Sequence, residues 1–107
     1  MEGLELTAFQ IISAVGTARS CYIEAIQEAK KNNYEKAEQL IKDGDEAFVE
    51  GHDAHAGLLQ QEASGKGGAV NLLILHAEDQ LMSAEAFKTI ALEFIDVYHR
   101  LDEQKED

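Results

Sequence analysis

The chain has 107 residues, with 21 acidic side chains against 9 basic ones and a formal net charge of −12. That length suits one compact domain over residues 1–107, and a 45 % apolar fraction supplies a core, which excludes wholesale disorder. The acidic excess leaves nothing to neutralise a row of phosphates or to hold an anionic membrane surface, so nucleic acid and lipid are excluded as partners. A single cysteine builds no disulfide framework, and the N-terminus shows no basic-then-apolar leader. The longest apolar run, Leu72 to Leu75, falls far short of the ~20 residues of a membrane span. A reducing cytoplasm is the expected setting.

No proline interrupts the chain, so long helices are allowed. Two breaks divide it into three. At Lys30-Lys31-Asn32-Asn33, asparagines that tolerate the left-handed conformation follow lysines suited to the negative end of a helix dipole. At Ser64-Gly65-Lys66-Gly67-Gly68 stands the one glycine cluster.

The first segment, about 5–31, carries Ala8, Ile11, Ile12, Val15, Ala18, Tyr22, Ala25, Ile26 and Ala29 at three- and four-residue spacings, the pattern of one buried helical face. The second, about 34–63, has a thinner stripe of Ala37, Leu40, Ile41, Ala47, Phe48, Ala54, Leu58 and Leu59. Gly44, Gly51 and Gly57 lie within it at about 1 kcal/mol each relative to alanine, so a weakened helix with a bend near Gly51 is expected. The third, about 69–105, is apolar on two sides. One stripe is Val70, Leu73, Ala77, Ala84, Phe87, Ala91, Phe94, Tyr98 and Leu101; the other is Leu72, Leu75, Met82, Ala86, Ile90 and Val97. Two neighbouring helices cover only one of these, so the expected architecture is all-α: an elongated antiparallel three-helix bundle that assembles with further copies through its third helix. The acidic end, Asp102 to Asp107, is expected to fray.

No phosphate-binding glycine loop, CxxC pair, GxSxG or HExxH occurs. The reactive candidates are His52, His55, His76 and His99. His52 and His55 stand three apart and would serve a metal-binding bundle, but the Glu-x-x-His pairs of di-metal bundles are missing. His99 follows Asp96 at the same spacing, near the fraying end. His76 closes the apolar run, with Asp79 one turn later and Gln80 and Ser83 alongside. An imidazole keeps a nucleophilic nitrogen near neutral pH, and a neighbouring carboxylate orients it or holds a cation. A lone histidine on an apolar helix also serves as an ordinary core residue, and spacing by itself leaves both readings open. Cys21 reads as a small apolar packing residue and Arg19 as an ion-pair partner.

The stretch Leu75-His76-Ala77-Glu78-Asp79-Gln80-Leu81-Met82-Ser83 resembles the signature of the lactose/cellobiose-type IIA component of the bacterial sugar phosphotransferase system. Gly16-Thr17-Ala18-Arg19-Ser20, Glu50-Gly51-His52 and Glu62-Ala63-Ser64-Gly65 fall in the matching order. The resemblance implies a cytoplasmic homotrimer of three-helix bundles that takes a phosphoryl group on His76 from the phosphohistidine of the carrier HPr. It passes that group to a cysteine of the IIB component during disaccharide uptake. It also implies that Asp79 meets its symmetry mates on the threefold axis and binds a divalent cation, Mg2+, one per trimer. Gln80 and Ser83 are then sources of hydrogen bonds to the phosphoryl group. Two places depart from the family pattern: Glu78 and Gln80 stand where it has glutamine and histidine, and His55-Ala56 stands where it has Gln-Thr. These departures leave room for an alternative, a catalytically silent structural or regulatory bundle.

Overall fold

The computed structural model describes residues 3–106, which form three α-helices and no strand: α1 (Gly3–Lys30), α2 (Tyr34–Ala63) and α3 (Leu72–Glu106). With no proline to remove an internal N–H donor, they run 28, 30 and 35 residues. Together they make a rod of 61 × 21 × 19 Å with a radius of gyration of 17.0 Å, against ~13 Å for a compact chain of similar length. Among the described residues no helix is long and apolar enough to cross a membrane.

Both connections are closed by the same device. After α1, Asn32 takes the left-handed conformation at φ 65°. Asn33 N–H then donates to the Glu28 carbonyl at 2.9 Å and Asn32 N–H to the Ala29 carbonyl at 3.0 Å, the paired bonds of a Schellman end. After α2, Gly65 takes φ 80°, and Lys66 and Gly65 donate to the carbonyls of Gln61 and Glu62. The third helix begins at Leu72 rather than near 69, because the Asn71 side-chain oxygen accepts from the Ile74 N–H at 2.9 Å and caps the helix there. At its other end the helix continues through Glu106, so the acidic segment does not fray as expected over 102–106; Asp107 lies outside the described residues.

Glu28 is the hub of the first turn. It is 6 % exposed, accepts from Asn33 Nδ2 at 3.1 Å, and lies 3.5 and 3.9 Å from the ammonium groups of Lys31 and Lys36. The Asn33 amide is the chief cause holding its carboxyl below the ordinary glutamate range; burial opposes this and the lysines add to it.

The middle layer is α1, packed against both other helices, while α2 and α3 touch each other little. Val15 faces Gly51 and Tyr22 faces Gly44, so α1 and α2 run antiparallel. Ala8, Ile11 and Val15 share one core cluster with Ala77, Leu81 and Ala84, and the later Ala18, Tyr22, Ala25 and Ala29 share another with Ala91, so α1 and α3 run parallel. The α1 face is as the spacing predicts: Ala8, Ile11, Val15, Ala18, Tyr22, Ala25 and Ala29 are buried.

The glycines of α2 act differently from expectation. The helix runs unbroken through Gly51, and two of its three glycines form its contact face. A Cβ at Gly44 would sit 2.6 Å from Tyr22 Cε1, and one at Gly51 would sit 2.6 Å from Val15 Cγ1. Their propensity cost is offset by the close approach of a fully buried tyrosine and valine on α1. The Tyr22 hydroxyl donates to Asp45 Oδ1 at 2.7 Å, and Lys88 Nζ reaches the same oxygen at 3.1 Å, so one carboxylate joins all three helices. Burial first, then that hydrogen bond, pushes the hydroxyl well above the phenol range and keeps it a donor.

On α3 the buried residues are Ala77, Leu81, Ala84 and Ala91. Val70, Phe94 and Leu101, grouped by sequence with this stripe, are exposed, as are Leu72, Leu75, Met82, Ile90 and Val97. Ala77, Ala84 and Ala91 repeat by seven and stay on one line, whereas Phe94 and Leu101 repeat from Phe87 on a line displaced around the helix. One long side of α3 is therefore apolar and uncovered.

Gly44→Ala should destabilise the fold by about 1–3 kcal/mol, because the buried Tyr22 ring has nowhere to go. Gly57, with nothing within 4 Å of an added Cβ, should gain up to about 1 kcal/mol on replacement by alanine; urea unfolding of the two variants measures both. The Glu28 carboxyl titrates lower in the folded chain than in the unfolded one, so its contribution is fully present above the unfolded value of about 4.3 and fades as pH falls through the lower folded value. The gap in Tm between wild type and Glu28→Gln should accordingly stay constant from neutral pH down to about 5 and narrow progressively as the pH is lowered further.

Candidate functional site

The first turns of α3 are fixed from one side only. Asn71 caps the helix, Leu73 and Ile74 pack at the edge of the core, and Ala77 and Leu81 are buried against α1. At 100° per residue, His76 emerges from this anchored stretch beside the uncovered face. Its ring is exposed and shares a shallow apolar concavity with Leu72, Leu73, Leu75 and Asp79. The imidazole is thus carried on a helix anchored from its inner side yet open to solvent. Leu72 is 83 % exposed and Leu75 53 %, so the surround is apolar and uncovered among the described residues.

Asp79 is exposed on the same face, one turn from His76. Gln80 and Ser83 are half-buried and follow His76 at the fourth and seventh positions, on its side of the helix. The structure thus brings His76, Asp79, Gln80 and Ser83 onto one stretch of α3. Glu78 leaves the helix on the opposite side and meets His55 of α2, Nε2 to Oε1 at 2.5 Å.

The other histidines are dispersed. His52 lies exposed near the Phe48 ring, with centroids 6.1 Å apart, while His55 turns to Glu78, so the two do not form a common ligand pair. His99 packs on Tyr34, with centroids at 4.6 Å, and its Nδ1 lies 3.0 Å from Glu103, while Asp96 pairs with Arg100 instead. Among the described residues no group of three or more His, Cys, Asp or Glu side chains is placed to hold an ion. Asp79 offers hard oxygen donors of the kind that suit a divalent cation such as Mg2+, but one chain brings only that carboxylate; a fuller set requires further copies.

Arg19 does not form the ion pair expected of it. Its guanidinium stacks on Phe87 of α3 at 4.9 Å, and its buried Nε has no partner. Cys21 is half-buried, and burial together with Asp43 and Glu24 pushes its thiol up, which suits an unreactive packing residue. Spacing missed one local signal, Asn71 as a cap, and one long-range contact, that of Glu78 with His55 across two helices.

Comparison with known proteins agrees with this geometry. Residues 6–99 match the family described as the PTS system, lactose/cellobiose specific IIA subunit. The chain is 38 % identical to the lichenan-specific phosphotransferase enzyme IIA component of Bacillus subtilis, over 97 % of this chain and 94 % of that one. It is 34 % identical to the lactose-specific EIIA component of Staphylococcus epidermidis, over 91 % and 93 %. The crystal structure of the cellobiose-specific enzyme IIA of Bacillus anthracis superposes with a TM-score of 0.91 at 37 % identity, covering 95 % of this chain and 94 % of that one. The chain therefore belongs to the lactose/cellobiose-specific IIA family of the sugar phosphotransferase system, phosphotransferase components that carry phosphoryl groups in sugar uptake.

Proposed function

We propose that His76 is the phosphoryl acceptor, taking the group from the phosphohistidine of HPr and giving it to a cysteine of a IIB component, in the cytoplasm. The observation that carries this reading is an exposed imidazole anchored on α3 within an apolar concavity, with Asp79 at its side. A ring nitrogen of His76 attacks phosphorus in line; the new N–P bond forms as the donor's N–P bond breaks and the donor imidazole leaves with the electron pair. In the second transfer the IIB thiolate attacks, the His76 N–P bond breaks and an S–P bond forms. Little covalent chemistry falls to the remaining residues, so positioning and charge stabilisation dominate. Gln80 and Ser83 supply hydrogen bonds to a group carrying about two negative charges. The apolar rim of Leu72 and Leu75 suits a flat, transient interface with each protein partner. Relatives act in lactose, lichenan and oligo-β-mannoside systems, so the sugar served is of that β-linked class, although the carrier itself need not touch it.

The uncovered side of α3 supports the homotrimer. Leu75, Met82, Ile90 and Val97 lie on one stripe with Asp79, and each such apolar side chain contributes about 1.5–3 kcal/mol when buried. Three copies of α3 packed on this stripe would bring three Asp79 carboxylates together. Two of them ~4 Å apart repel by ~4 kcal/mol at an effective dielectric of 20, so the arrangement calls for a cation, and three carboxylates with water suit Mg2+. The silent-bundle alternative rested on Glu78 and Gln80; it loses force because Glu78 faces α2, away from His76.

Incubation with phosphoenolpyruvate, enzyme I and HPr, followed by intact-mass measurement, should show one acid-labile phosphoryl group per chain, absent from His76→Ala. An unmodified wild type, or a His76→Ala variant that still gains phosphate, would sink the assignment. Asp79→Leu should remain trimeric in sedimentation and lose any stabilisation by Mg2+, whereas the Tm of the wild type should fall on chelation; a monomeric Asp79→Leu would mean that Asp79 is not axial or that its cation is the main clamp.

A further inference from the structure

The contact between His55 and Glu78 links α2 and α3, the two helices that otherwise touch least. The imidazole side chain is 12 % exposed and the carboxylate 39 %. A carboxylate only accepts, so Nε2 of His55 carries the hydrogen and donates it to Oε1 of Glu78. Among the described residues no lysine or arginine pairs with Glu78. Residue 55 on α2 and residue 78 on α3 are thereby tied by a side-chain hydrogen bond across 23 positions of sequence.

Glu78 lies two residues beyond His76 on α3, so the two side chains leave the helix on opposite sides. A glutamate has three rotatable torsions, and without a partner it would sample solvent on either side of its own position. A phosphoryl group brings about two negative charges, and a free carboxylate within one Debye length, about 10 Å, repels it with incomplete screening. In a chain of net charge −12, few cations are at hand to offset that.

We propose that His55 is a positioning residue for the phosphoryl site: its N–H holds the Glu78 carboxylate on the α2 side of α3, away from the group carried by His76. The inference rests on the phosphocarrier reading of His76. It explains how an acid is tolerated two residues from an acceptor that must hold an anion, and it assigns His55 a role in transfer without contact with the reacting atoms.

Rapid-quench measurement of phosphoryl transfer from phospho-HPr tests it on the full chain. His55→Ala and the ring-retaining His55→Phe should each slow transfer to His76 by about threefold to tenfold at low salt, an effect that shrinks at high salt. Adding Glu78→Gln to either should restore the rate to within about twofold of wild type, and Glu78→Gln by itself should leave it nearly unchanged. Far-UV helicity and Tm identify any variant that fails to fold; His55→Phe keeps the ring volume, and its comparison with His55→Phe/Glu78→Gln then decides. Unchanged rates in the His55 variants, or double variants as slow as the singles, would overturn the inference and reduce the pair to a packing strut. A wild type that takes no phosphate on His76 would instead remove the phosphocarrier reading itself.

Discussion

The structure depends on how closely α1 can approach its two neighbours. Its buried face is built from alanines around Ile11, Val15 and Tyr22, and α2 answers with Gly44 and Gly51 where those larger side chains arrive. Small residues on α3, Ala77, Ala84 and Ala91, do the same on the other side. Close packing of backbones around one central helix leaves the outer side of α3 with no covering element from its own chain. That is the side where the large apolar residues have been placed, and His76 stands at its border. Dense packing on one side of α3 and unmet apolar surface on the other are two consequences of one distribution of side-chain sizes.

Charge follows a comparable logic. Acids outnumber bases by more than two to one, so the placement of the few hydrogen-bond donors decides which carboxylates can be tolerated inside the fold. Glu28 is buried because Asn33 and two lysines turn towards it. Asp45 sits between α1, α2 and α3 because Tyr22 and Lys88 share its oxygen. Each buried or half-buried acid of this kind is paired with a donor from another part of the chain, as the cost of an unpaired polar group demands. Asp79 differs: it is exposed, without such a partner among the described residues, on the very side that lacks a cover. An acid on an apolar stripe is costly to bury alone, which ties its fate to whatever covers that stripe.

Much of this was legible in the sequence because it rests on short-range periodicity. The α1 face follows from spacing residue by residue, and the left-handed Asn32 follows from two asparagines after two lysines. The grouping of His76 with Asp79, Gln80 and Ser83 is a property of one helix and needed no tertiary information. What escaped was long-range. Gly44 and Gly51 read as weaknesses when only propensity is considered, since their value lies in Tyr22 and Val15, some 22 and 36 residues away by numbering. The displacement of Phe94 and Leu101 from the core depends on which side α1 occupies. Glu78 could be recognised as an unusual acid, but not as a paired one, because its partner lies 23 residues back on another helix.

The location of the proposed acceptor, His76, also follows from these constraints. A phosphoryl carrier must meet two different proteins in turn, so its reacting atom has to be exposed, yet transfer in line tolerates little error in position. Loops offer exposure at the cost of mobility. Here the connection from α2 ends at Asn71, and within three turns α3 is held by a capped N-terminus and by Ile74, Ala77 and Leu81 on its inner side. His76 therefore takes its exposure from the helix's uncovered side and its fixed position from the buried one. Moving the imidazole one residue along α3 in either direction would lose that combination: position 77 is sealed against α1, and position 75 lies within the apolar stripe itself. Few positions on the rod join an anchored backbone, an apolar rim and an open side chain, and His76 occupies one of them.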